Sequence, residues 1–206
     1  MDNILYLVIP CYNEEEVLPE TSSRLLEKLG SLIKLGKISE KSRVIFVNDG
    51  SKDRTWEIIE ELHQKNRIFG GINLSRNRGH QNALLAGLMT VKDYADMVIS
   101  MDADLQDDIE VLDEFVQKYQ EGCQVVYGVR KERKTETFFK RNSALAFYKL
   151  MNWLGTHVLN NHADYRLMSR EALDALAEYR EVNLFLRGIV PEIGYKTDVV
   201  YYDRGE

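Results

Sequence analysis

The chain has few of the residues that staple or interrupt a fold. Its 206 residues include two cysteines, Cys11 and Cys123, and three prolines. Neither cysteine has a partner at CxxC or Cys/His spacing, which argues against a zinc site or a disulfide framework and assigns both to the core of a protein kept in a reducing compartment. No Pro/Gly-rich linker, internal repeat or low-complexity tract breaks the sequence, so a single domain over 1–206 is expected. Positive charge is not in excess either: 27 Lys+Arg against 33 Asp+Glu give a net charge of −6. That argues against nucleic-acid binding through a general basic surface and confines any affinity for phosphate to local patches. No apolar run reaches the roughly 18 residues of a membrane span, and MDNILY lacks the basic start of a signal peptide.

What is present is a rhythm. Apolar or β-branched runs at 4–9 (ILYLVI), 44–48 (VIFVN), 70–75 (GGINLS), 96–101 (DMVISM) and 124–129 (QVVYGV) predict strands. Helical periods lie between them at 14–35, 53–65, 79–91 and 109–119. Such alternation predicts an α/β fold, a mainly parallel twisted sheet with helices on both faces. Near residue 130 the rhythm gives way to basic and aromatic sequence, so 1–130 and 131–206 read as two halves of one domain.

In an open parallel sheet, ligands collect beyond the carboxyl ends of the strands. There the chain places Pro10-Cys11-Tyr12-Asn13-Glu14, Asn48-Asp49-Gly50-Ser51, Ser75-Arg76-Asn77 and Asp102-Ala103-Asp104. The segment DADLQDD holds four aspartates in seven positions. Asp107, with Glu110 three residues on, has the spacing of a capping box. Asp102 and Asp104, at i and i+2 in extended chain, would share a side and repel unless a cation lies between them. Oxygen ligands without histidine or cysteine suit Mg²⁺ or Mn²⁺, with Gln106 as a further oxygen donor, although DxD after a strand is also ordinary turn chemistry. Asp49 could accept from the N–H edge of uracil or of guanine, Tyr12 offers a stacking surface, and Glu14 could accept from a ribose hydroxyl. Asn13 and the glutamates behind it also read as an N-cap and a first helical turn.

Taken in order and spacing, IPCYNEEE, VNDGSKDRT, SRNRGHQNALLAGL, DADLQDD, VYGVR and ADYRLMSREAL resemble the catalytic domain of family 2 glycosyltransferases of the GT-A fold. They are most similar to the branch acting on polyprenyl phosphates, which includes dolichol-phosphate mannose synthase. The resemblance implies inverting transfer from a nucleotide-diphosphate sugar, UDP favoured, to a polyprenyl phosphate or a glycan acceptor at the cytoplasmic face of a membrane. Pro10, Tyr12, Glu14 and Asp49 would then line the nucleoside site. Asp102, Ala103, Asp104 and Gln106 would hold the metal and diphosphate, with Arg130 facing the diphosphate. Asp164 and Arg166 would stand on the acceptor side, Asp164 as a base for a hydroxyl acceptor or an orienting group for a phosphate, or else Asp164 would cap the chain or pair with Arg166.

The stretch from about 131 to 160 carries Phe138, Leu145, Tyr148, Met151, Leu154 and Val158 at helical spacing beside Lys131, Arg133, Lys134, Lys140, Arg141 and Lys149. It reads equally as a membrane-surface segment or as a core helix with a basic edge, and Arg133 and Arg141 are candidate contacts to an acceptor phosphate. His157 and His162 share no helix face, so no histidine metal site is expected, although His162 could border the acceptor pocket. Members of the branch continue beyond a motif like YYDRGE into membrane helices. An excised catalytic domain or a soluble relative is therefore expected. Two other classes stay open: a sugar-1-phosphate nucleotidyltransferase, for which PCYNEEE lacks the glycine-rich loop, and a non-catalytic binding module.

Overall fold

A computed structural model of the chain describes residues 3–131, 162–179 and 186–203. The basic and aromatic stretch expected at 131–160, including Arg133 and Arg141, lies outside them except for Lys131. Seven strands of the described residues form one sheet: β1 (Leu5–Cys11), β2 (Arg43–Asn48), β3 (Phe69–Asn73), β4 (Met97–Ser100), β5 (Val125–Arg130), β6 (His162–Ser169) and β7 (Thr197–Tyr202). Among the described residues six helices accompany them: α1 (Leu18–Lys34), α2 (Thr55–Lys65), α3 (His80–Val91), α4 (Leu112–Gln120), α5 (Arg170–Ala177) and α6 (Leu186–Glu192).

The strand order is β3-β2-β1-β4-β6-β5-β7. Parallel pairs join β1 to β2 and β4, β2 to β3, and β5 to β7, whereas β6 runs antiparallel to both β4 and β5. The sheet is thus mainly parallel, as the rhythm predicts, with one reversed strand that the apolar runs do not announce. HADYRLMS is no continuous apolar run: Tyr165 and Leu167 join one core and Met168 the other, so neighbouring positions serve opposite faces.

Helices cover both sides because the strands bury both faces. Along β1, Leu5, Leu7, Ile9 and Cys11 pack with α1, α2 and α4, while Tyr6 and Val8 pack with α3 and α5. Both cysteines are buried and unpaired. In α1, Leu18, Leu25, Leu29 and Leu32 recur on one face, and each such burial stabilises by about 1.5–3 kcal/mol. The helix begins at Leu18, with Pro19 in its first turn, later than the sequence suggests. Asn13 does not cap it. Its backbone is left-handed (φ 57°), and its Oδ1 accepts instead from the Lys52 N–H at 2.9 Å.

The carboxyl ends of β1, β2 and β4 share one rim. Because β6 is reversed, its starting end meets that rim: Arg166 pairs with Ser100, and the Ser100 hydroxyl donates to the carbonyl of Asp164. Beyond β2 the chain turns at Gly50 (φ 66°), where a Cβ would stand 2.5 Å from the backbone of Arg76 and Asn77. Only glycine fits there. Gly50→Ala is expected to destabilise the fold by roughly 1–3 kcal/mol through strain at positive φ and the displaced 76–79 loop. Urea unfolding of the two proteins measures this.

Candidate active site

The rim encloses a cavity of about 450 Å³, within the ordinary range for small-molecule sites. Pro10, Cys11, Tyr12 and Glu14 line it from the end of β1, Asp49 from β2, and Asp102, Ala103 and Asp104 from beyond β4. Asn77, Gly79 and His80 close it from the start of α3, Asp164 from β6 and Arg187 from α6. A roomier groove of about 590 Å³ between α2, β3 and α3 is lined by residues such as Trp56, Ile59 and Ile72 and gathers no comparable set of carboxylates.

Two loops at one end of the cavity bind each other. The backbone N–H groups of Asn13, Glu14 and Glu15 donate to the side chains of Ser51, Thr55 and Asp53, at 3.0, 2.8 and 3.1 Å. In return, the N–H groups of Lys52 and Arg54 donate to the side chains of Asn13 and Glu15, both at 2.9 Å. Tyr12, 42% exposed, stands beside this lock with its ring open to solvent. Asp49 is 3% exposed and accepts from the N–H groups of Arg78 at 2.7 Å and Gly79 at 2.9 Å. Its carboxylate therefore shapes the loop leading into α3 while it lines the cavity.

Asp102 and Asp104 face the same cavity, but not from extended chain. The strand ends at Ser100, Leu105 is left-handed (φ 58°), and the Gln106 N–H donates to Asp104 Oδ1 at 3.0 Å. A turn closed by an aspartate side chain has replaced the expected i, i+2 alternation. Gln106 is pinned by its backbone and does not line the cavity. Burial, with the charges of Asp107 and Asp104 nearby, pushes the Asp102 carboxyl up against the opposing effect of His80. Glu14 is pushed up by burial, then by Asp104, Asp53 and Asp102. Among the described residues no three His, Cys, Asp or Glu side chains form a metal cage. The donor set is thus an aspartate pair in which the Asp102 charge is destabilised, suited to a hard cation that keeps waters or takes phosphate oxygens as its other ligands.

Asp107 does not cap α4. Asp108 instead caps the short 3₁₀ turn Ile109–Val111 that leads into α4, accepting from the Glu110 N–H at 2.9 Å. Asp107 is 1% exposed and accepts from Arg130 Nη2 at 3.1 Å, from the Tyr202 hydroxyl and from the Asp102 N–H at 3.3 Å. Arg130 also donates through Nε to the Tyr202 hydroxyl at 3.0 Å and is not among the cavity-lining residues. Buried charge this well paired is costly to half-remove.

The opposite wall is built on Asp164. Its Oδ1 accepts from Arg187 Nε at 3.2 Å, and its Oδ2 from Arg187 Nη2 at 3.1 Å and Gln81 Nε2 at 2.9 Å. His80 Nε2 lies 3.3 Å from the same Oδ2 and 3.7 Å from Asp102 Oδ1. Burial favours the neutral acid, but the hydrogen bonds from His80 and Arg187 and the charges of Arg187 and Arg166 outweigh it and hold the carboxyl well below its usual range. Arg166, expected beside the acceptor, is 3% exposed, stacked 5.5 Å from the Tyr127 ring centroid and 3.8 Å from Asp164 Oδ1. It is a buried countercharge, because its position in β6 points it toward the core. His80, Gln81 and Arg187 carry no motif of their own. The SRNRGHQNALLAGL segment contains the first two, but their convergence on Asp164 spans about 80 residues of chain.

Residues 6–177 match the family model "Glycosyl transferase family 2". The chain belongs to that family. A Bacillus subtilis relative, the uncharacterized glycosyltransferase YkoT, is 56% identical over 203 residues, covering 98% of this chain and 60% of its own length. The prophage bactoprenol glucosyl transferase homolog of Escherichia coli is 38% identical, covering 97% of this chain and 63% of its own length. The chain thus spans somewhat over half of the curated relatives it matches. In structure it resembles Mycobacterium tuberculosis glucosyl-3-phosphoglycerate synthase, solved with Mn²⁺, UDP and phosphoglyceric acid, at a TM-score of 0.60 and 17% identity over 99% of this chain and 72% of the other. The family 2 chain therefore has the GT-A fold its motifs imply. Among its described residues no helix is long and apolar enough to cross a membrane.

Replacing Asp107 by alanine is expected to destabilise the domain by roughly 1.5–3 kcal/mol, since it strips charged hydrogen bonds from a buried site. Asp108→Ala should cost only about 1 kcal/mol, the ordinary loss of a cap. Chemical denaturation of both variants checks the assignment of cap and buried anchor.

Proposed function

We propose that this family 2 domain transfers a sugar, with inversion, from a nucleotide-diphosphate sugar to a polyprenyl phosphate at the cytoplasmic face of a membrane, with UDP as the favoured nucleotide. The observation that carries this is the facing of Asp102 and Asp104 into one cavity with Tyr12, Glu14 and Asp49 at one end and Asp164 at the other. The name of the bactoprenol relative supports the acceptor, and the UDP and Mn²⁺ of the structural neighbour support the donor and cation.

In this reading the exposed ring of Tyr12 stacks on the base, Asp49 accepts from its N–H edge, and Glu14 accepts from the ribose. Pro10 and Ala103 shape the floor. Asp102 and Asp104 hold Mg²⁺ or Mn²⁺, which when bound supplies Lewis-acid neutralisation of the leaving diphosphate. Gln106 adds an oxygen only if its side chain turns toward the pair. Arg130, anchored by Asp107 and Tyr202, contributes positive potential from behind the aspartates. An ionised acceptor oxygen forms the new bond to C1 as the C1–O bond to the diphosphate breaks, the electron pair leaves on the nucleotide, and no proton moves. Arg133 and Arg141 are placed by this reading on the acceptor's approach.

Titrating the full chain with UDP- and GDP-sugars, with and without Mn²⁺, should give a thermal shift only when donor and cation are both present. A ligand at 100 times its dissociation constant adds about 2.7 kcal/mol. Chelation by EDTA should abolish sugar transfer and added Mn²⁺ restore it. Converting both Asp102 and Asp104 to asparagine should lower transfer by roughly 100-fold or more. Undiminished transfer by the double variant would overturn the proposal.

A further inference from the structure

The cavity's ingredients follow the order of the strands. Asp49 stands on β2, Pro10 to Glu14 on β1, Asp102 and Asp104 beyond β4, and Asp164 on β6. At about 4.8 Å per strand, β2 to β6 spans about 14 Å. A nucleoside diphosphate laid along that rim, base at β2, brings its phosphates to β4 and the sugar's far side to β6. What stands at β6 therefore meets the acceptor.

Asp164 is there, and its carboxylate is occupied. Its Oδ2 accepts from Arg187 Nη2 and Gln81 Nε2 with His80 Nε2 3.3 Å away, and its Oδ1 accepts from Arg187 Nε with Arg166 Nη2 3.8 Å away. A general base needs an unclaimed oxygen facing the proton it removes. Arg187 is differently placed. Of its five N–H donors, Asp164 engages one on Nε and one on Nη2, and no described residue takes Nη1. The guanidinium is thereby held edge-on with its free donors beside the cavity that it lines. Charge points the same way: one carboxylate, Asp164, faces two guanidiniums, Arg187 and Arg166. Arg187 lines the cavity and Arg166 is buried behind it, while the next carboxylate, Asp102, lies across His80, 3.7 Å from its Nε2.

We propose that Arg187 receives the phosphate of the acceptor, and that Asp164 is a positioning residue that fixes Arg187 rather than a base that takes a proton. The inference rests on the glycosyltransferase reading and adds to it the residue that meets the acceptor's ionised phosphate and the one that fixes that residue in place. A hydroxyl acceptor would reach this wall and find no base.

The test uses the full chain with UDP-glucose, Mn²⁺ and a short-chain polyprenyl phosphate in detergent micelles. Arg187→Gln should raise the acceptor KM by roughly 10- to 100-fold, the loss of a charged hydrogen-bonding partner, with the donor dissociation constant unchanged. Arg187→Lys should recover part of the loss by keeping the charge without the fork. Asp164→Asn should raise the acceptor KM in the same way and leave the pH profile of kcat unmoved. An unchanged acceptor KM in Arg187→Gln, or an equal loss of donor affinity, overturns the assignment of Arg187. Loss of a basic limb from the pH profile in Asp164→Asn overturns the positioning role. Both failures leave donor binding by the wild-type chain intact; failure of the wild-type chain to bind any nucleotide sugar overturns the parent reading along with the inference.

Discussion

The reversal of β6 is the constraint on which the site depends. In an all-parallel sheet every strand would deliver its carboxyl end to the rim, and the residues at the start of β6 would emerge on the far side of the molecule. Running antiparallel between β4 and β5, β6 brings Asp164 beside Asp102 and Asp104, with the Ser100 hydroxyl tying the two strands at that level. The side chains that converge on Asp164 come from α3 and α6, which pack on one face of the sheet. One change of strand direction therefore closes the cavity.

Electrostatics divides that cavity into two parts. Toward β1 and β4, the carboxylates of Asp104 and Asp102 add to burial in raising the proton affinity of Glu14, and Asp107 and Asp104 do the same for Asp102, an arrangement that repels an anion until a cation intervenes. Toward β6, guanidiniums outnumber carboxylates. Two anionic partners can therefore approach from different sides, one through a bound ion and one through fixed arginine. The buried Asp107 belongs to neither part. It joins Arg130, Tyr202 and the Asp102 backbone beneath the floor, so that the last strand of the sheet supports the turn carrying the aspartate pair.

Much of this was legible in the sequence because it is local. Strand, turn and helix alternate through residue 130 within a few positions of the structure, and the rim residues of β1, β2 and β4 follow from a general rule about parallel sheets. The misreadings share a cause. Asp107 and Asp108 are adjacent acids one position apart at the head of the same helical segment, and only the tertiary position of Arg130 decides which is buried. Arg166 reads as an acceptor-side cation until the faces of β6 are known. Arg187 and His80 meet Asp164 from segments 23 and 84 residues away in sequence, and no periodicity encodes such a meeting.

The mutual capping of the loops after β1 and β2 has a mechanical meaning. Backbone groups of each are satisfied by side chains of the other through five hydrogen bonds. Peeling either away exposes unsatisfied polar groups on both, so this corner opens as a unit or not at all. It is a rigid jaw at the end of the cavity, against which, under the proposed function, an incoming nucleoside would be measured rather than moulded.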